Sequence, residues 1–85
     1  SCEATAIGDG ELWLTPCKLV RYEVTCERSL ENDKNKRVSV VDGGRGAASQ
    51  IPQPTLYEAH TLVGTIWYEI MNLRLWTVTL FVVDN

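Results

Sequence analysis

Most of the large apolar residues of this chain lie between Pro54 and Asn85, including Trp67 and Trp76, two of its three tryptophans. Any fold must bury this stretch, so its periodicity is the first thing to read. On a 3.6-residue wheel Leu56, His60, Val63, Trp67 and Met71 share one face, with Ala59 and Ile70 beside them. Glu58, Thr61, Thr65, Glu69 and Asn72 share the opposite face. Thr55 followed three residues later by Glu58 fits a capping box, and Pro54 bars helix upstream. Asn72 suits a left-handed helix end. The pattern predicts an amphipathic helix over about 55–72. Arg74 to Val83 follows as β-branched and aromatic residues, apolar on both faces, which predicts a central strand over 74–83.

Upstream the signals are extended. Glu3 to Gly8 and Glu11 to Thr15 flank Asp9-Gly10, a favoured two-residue hairpin turn. Such a turn sets Ala6 opposite Trp13 and Cys2 opposite Cys17. Antiparallel partners lie about 4.5–5.5 Å apart at Cα, which a disulfide can bridge. Pro16 ends that strand, since proline cannot donate to a ladder. Lys18 to Cys26 alternates, with Val20, Tyr22, Val24 and Cys26 on one face, Arg21, Glu23 and Thr25 on the other, and Leu19 out of phase. A continuous strand holds Cys17 and Cys26 roughly 30 Å apart, so these two do not bond. Cys2–Cys26 is the alternative pairing if the first strand meets the far end of this one. Residues 27–36 read as a charged loop with at most a helical turn at 28–33, and Arg37 to Asp42 as a short strand. Gly43 to Pro54 reads as a linker, flexible through its glycines and then stiffened by Pro52 and Pro54.

The expected order is β-β-β-β-α-β: a single α+β domain over residues 1–85, with an antiparallel or mixed sheet and one helix across one face. The chain has 85 residues, enough for one core. Its net charge of −3 gives no electrostatic ground for binding nucleic acid. No apolar run approaches the roughly 20 residues that span a bilayer.

Few residues carry chemistry. His60, the single histidine, is the one weak catalytic candidate, as general base of a small hydrolase, yet the wheel sets it in the apolar stripe with both nearby glutamates on the other face. Cys2, Cys17, Cys26 and His60 have no short Cys-x-x-Cys spacing, so no metal site and no cofactor is expected. Gly43-Gly44-Arg45-Gly46 lacks the lysine and hydroxyl of a phosphate loop. Arg45, flanked by Gly44 and Gly46, is an expected contact residue, since an exposed guanidinium pairs well with carboxylates. Trp13 on the first hairpin and Tyr57 on the flank of the helical stripe are also expected as interface aromatics. Lys36-Arg37 is a dibasic pair of the kind that secretory proteases cut, and equally a basic strand start.

The chain opens on Ser1-Cys2 without methionine, carries three cysteines and is small. These features fit a processed, secreted protein with at least one disulfide. By elimination the expected role is a toxin-, effector- or inhibitor-like protein that acts by protein contact without catalysis. The alternatives are the His60 hydrolase and an assembly subunit completed by a partner chain.

Overall fold

A computed structural model describes residues 2–7, 10–27, 37–43, 47–53 and 57–84. Within them the regular elements are strands: β1 (Glu3–Ile7), β2 (Glu11–Thr15), β3 (Cys17–Cys26), β4 (Arg37–Asp42), β5 (Ala47–Pro52), β6 (Glu58–Leu62), β7 (Thr65–Ile70) and β8 (Leu73–Asp84). They form two four-stranded sheets, ordered β1-β2-β4-β5 and β3-β8-β7-β6. The first is mixed, because β2 and β4 run parallel. The second is antiparallel throughout. The chain changes sheets at Pro16, where β2 has stopped and Cys17 begins β3. One core fills the space between the sheets. Leu12, Leu14, Val38, Val40 and Ile51 enter it from the first, and Cys17, Ile66, Tyr68, Val78 and Leu80 from the second. The molecule is a β-sandwich.

The expected helix over 55–72, and with it the α+β class, is overturned. Residues 58–70 are the hairpin β6–β7. Thr55, the expected cap, lies outside the described residues. Burial follows a period of two, with Ile66 and Tyr68 at 3% and 1% exposure. Val63 and Met71, assigned to the buried helical stripe, are 67% and 87% exposed. Both sit in turns. Gly64 at φ +79° closes β6–β7, and Met71 and Asn72 at φ 51° and 64° close β7–β8. Asn72 thus takes the left-handed conformation expected of it, but in a hairpin rather than a helix end. Residues 60–71 satisfy the helical wheel, yet their β-branched and aromatic types equally suit strands. The turns decide, because chain reversals at Gly64 and Asn72 leave no length for a helix.

The C-terminal strand stands inside its sheet, between β3 and β7. Trp76, Val78, Leu80 and Val82 face the core, while Thr77, Thr79 and Phe81 face out. The alternation in β3 breaks at a bulge between Leu19 and Arg21. The extra residue, Val20, is 60% exposed. Leu19 thereby joins Tyr22 against the core, which accounts for its being out of phase. Just before the bulge, the Leu19 backbone N–H donates to Asp42 Oδ1 at 3.0 Å, tying β3 to the end of β4 across the two sheets.

Two further expectations shift. The first hairpin pairs Thr5 with Trp13 and Ala4 with Leu14, one residue away from the register expected of a two-residue turn. Cys2 and Cys17 remain in reach at 5.3 Å between Cα atoms and form the disulfide, so Cys2–Cys26 is not the bond made. The presumed linker 43–54 contains β5, whose Ile51 is fully buried. It pairs with β4 through a bulge at Val40/Val41.

Candidate functional site

The outer face of the second sheet brings Arg21, Glu23, Glu58, Glu69 and Arg74 together with His60, Trp67 and Phe81. Its residues line up in rows across the strands. Glu58, Glu69 and Arg74 form the row nearest the β7–β8 turn. His60, Trp67, Thr77 and Thr25 form the next, then Leu62, Thr65, Thr79 and Glu23. Phe81 and Arg21 close the series.

Two cations lie on aromatic rings in this face. The Arg21 guanidinium sits 3.8 Å from the Phe81 centroid, and that of Arg74 lies 5.3 Å from the Trp67 ring. Each contact is worth about 0.5–1 kcal/mol at an exposed site. Glu23 pairs with Arg21 along the same strand. Trp67 Nε1–H donates to Glu69 Oε1 at 2.8 Å. The His60 ring stacks on Trp67 with centroids 5.5 Å apart and planes at 12°. Both aromatic side chains and both guanidinium groups are therefore held in place before any partner arrives, which lowers the entropy lost on binding.

His60 Nε2 lies 3.4 Å from Glu69 Oε2 and 3.8 Å from Glu58 Oε2. The strand period brings together three residues that the helical wheel had set on opposite faces. His60 is consequently on an outer sheet face and not in a core stripe. Its Nε2 is shut off from solvent and makes no hydrogen bond. Glu58 and Glu69 face each other directly across the hairpin, and like charges so placed repel. The two carboxylates converge on one nitrogen rather than on an open point. Among the described residues no group of three or more His, Cys, Asp or Glu is placed to hold a metal ion.

The other expected contact residues are scattered. Gly44, Arg45 and Gly46 lie outside the described residues. Trp13 stands half-buried on the outer face of the first sheet, its Nε1–H donating to Glu11 at 3.1 Å. Tyr57 packs against the core from the start of β6. Neither adjoins the Trp67 face. Reading 58–70 as a helix hid that face. The signal for it was present in Thr65-Ile66-Trp67-Tyr68-Glu69-Ile70, where polar and apolar residues do not alternate cleanly but β-branched and aromatic types dominate.

A recess of about 370 Å³ opens beside this face, lined by Glu58, Glu69, Ile70, Met71 and Asn72. Compared with known proteins, the chain matches no family model, and no curated protein or solved structure matches it.

Proposed function

We propose that the protein is a small binding protein that engages a protein partner through the outer face of β3, β8, β7 and β6. The observation that carries this reading is the pair of guanidinium-on-aromatic contacts, Arg21 on Phe81 and Arg74 on Trp67, on a sheet face opposite the core. Trp and Arg dominate the energetics of protein interfaces because they combine large apolar area with directed polar groups. A small sandwich closed by a disulfide is compatible with an extracellular setting, and secretion with a toxin- or effector-like role belongs to the same proposal. The test is to screen the labelled protein against a panel of extracellular proteins, alongside the Arg21→Glu/Arg74→Glu variant and Trp13→Ala on the other sheet. A true partner loses at least tenfold in affinity with the double variant and keeps its affinity with Trp13→Ala. The reverse pattern overturns the assignment of the face.

A hydrolase centred on His60 draws on a different observation, the two carboxylates within 4 Å of Nε2. Proton transfer to a substrate needs an accessible nitrogen, and Nε2 is enclosed, which favours the binding reading. His60→Gln separates the two. An enzyme loses turnover at an unchanged melting temperature, whereas a binding protein has no turnover to lose.

A further inference from the structure

The two flanks of the sandwich treat their exposed strand edges differently. On one flank, β3 carries a bulge at Val20 with Lys18 and Arg21 around it, and β5 ends in Pro52, opposite Arg37, and has a bulge between Ala47 and Ser49 at its other end. Bulges, lysine and proline are the devices that stop an edge from recruiting another strand. On the other flank β1 and β6 lie against each other, and neither Glu3–Ile7 nor Glu58–Leu62 contains a lysine, a proline or a bulge.

The β6 edge has a defined pattern. Leu62 and Thr65 close a two-residue turn, which makes them a hydrogen-bonded pair. Glu58, His60 and Leu62 therefore aim their backbone groups at β7, and Ala59 and Thr61 aim theirs at the open edge. Two residues spaced by one suffice for an antiparallel partner. Exposed apolar side chains lie at both ends of this strand. Leu62 and Val63 are 65% and 67% exposed at the β6–β7 turn. Ile70 and Met71, 38% and 87% exposed, line the recess beside Glu58 at the other end.

We propose that β6 pairs with β6 of a second copy of this chain, antiparallel about a two-fold axis at His60. Ala59 of each copy then exchanges hydrogen bonds with Thr61 of the other, and the two sheets become one of eight strands. The same axis places Leu62 and Val63 of each copy beside Glu58 and the recess of the other. Each apolar end is covered by its opposite, so the surface is self-complementary, as an isologous dimer requires. A second copy is favoured over an unrelated peptide because one axis satisfies both the edge ladder and the exposed apolar residues at the strand's two ends.

The test is sedimentation equilibrium over micromolar to millimolar protein without reductant, in a Cys26→Ser background that keeps the Cys2–Cys17 bond. The wild type forms a dimer, and Leu62→Lys, at an exposed position, shifts the dissociation constant at least tenfold upward. Thr61→Pro removes an edge N–H and acts in the same direction. His60→Cys supplies the positive arm. The two residues at the axis are a close, non-hydrogen-bonded pair at about 4.5 Å between Cα atoms, so mild oxidation gives a 60–60 disulfide identified by peptide mapping. A monomer at all concentrations overturns the proposal. So does a dimer that ignores Leu62→Lys, or one that yields no 60–60 link. Because the readout is mass and not partner capture, its failure is separate from any failure of the binding face.

Discussion

Tyr68 shows how much a single side chain carries here. It is 1% exposed and among the largest fully buried side chains. Its hydroxyl donates to the Pro52 carbonyl over a long 3.4 Å, its described contact with β5. Burial pushes its pKa up from 10.0 to about 12. The folded state thus keeps a proton that the unfolded chain releases, so stability is complete below pH 10 and falls as pH rises through 12. The loss amounts to about 2–3 kcal/mol across that window. Urea unfolding at pH 9 and pH 12 measures it. Tyr68→Phe should remove this tyrosine's share of the alkaline drop while costing about 1 kcal/mol or less at pH 7, the net value of one weak hydrogen bond. An alkaline drop of the same size in Tyr68→Phe would assign it to other groups.

At the scale of elements, the two hairpin turns of the second sheet determine the architecture. The β7–β8 turn needs positive φ at both central residues, which suits Asn72 and does not suit Met71. A side chain with a Cβ costs about 1 kcal/mol in that region, and Met71 recovers none of it by packing, since it is 87% exposed. Met71→Asn is expected to raise the unfolding free energy by about 0.5–1 kcal/mol, and Met71→Val to lower it. Denaturant midpoints with an unchanged slope decide, and two shifts of the same sign would mean that the turn does not govern this position. Gly64 is less replaceable, because its φ of +79° and its carbonyl, which accepts the Leu80 N–H at 2.6 Å, fix the other turn onto β8. The same turns explain why the helical reading failed. The 3.6-residue wheel scores side chains along an unbroken segment, and Val63-Gly64 breaks this one after Leu62.

For the molecule as a whole, the covalent link joins the start of β1 to the point where the chain crosses between sheets. Cys17 is fully buried in the core, and the bond closes a loop with a sequence separation of 15. Closing a loop of that size contributes about 3 kcal/mol, a large share of the stability of a domain this small. Adding reductant should therefore lower the urea midpoint sharply, and Cys26→Ser should leave that sensitivity intact. Loss of reductant sensitivity in Cys26→Ser would show that the bond involves Cys26 instead.

Some of this was legible in the residues alone. The strands at 18–26 and 37–42 and the inner position of the last strand follow from local residue patterns, and Cys2–Cys17 from the reach of a disulfide, although the hairpin register that suggested it was one residue off. These are near-neighbour properties, and one-dimensional patterns report them. The linear pattern misread residues 58–70 as helix and missed the strand at 47–52 and the change of sheet at Pro16. Each depends on which face is covered by a distant strand. Ile66 and Tyr68 are buried because Leu12, Val38 and Ile51 of the other sheet fill the space between. The gathering of Glu58, His60, Trp67, Glu69 and Arg74 on one surface has the same origin. Three strands had to be laid side by side before residues separated along the chain could meet, and only the hydrogen-bonded register of the folded sheet sets that alignment.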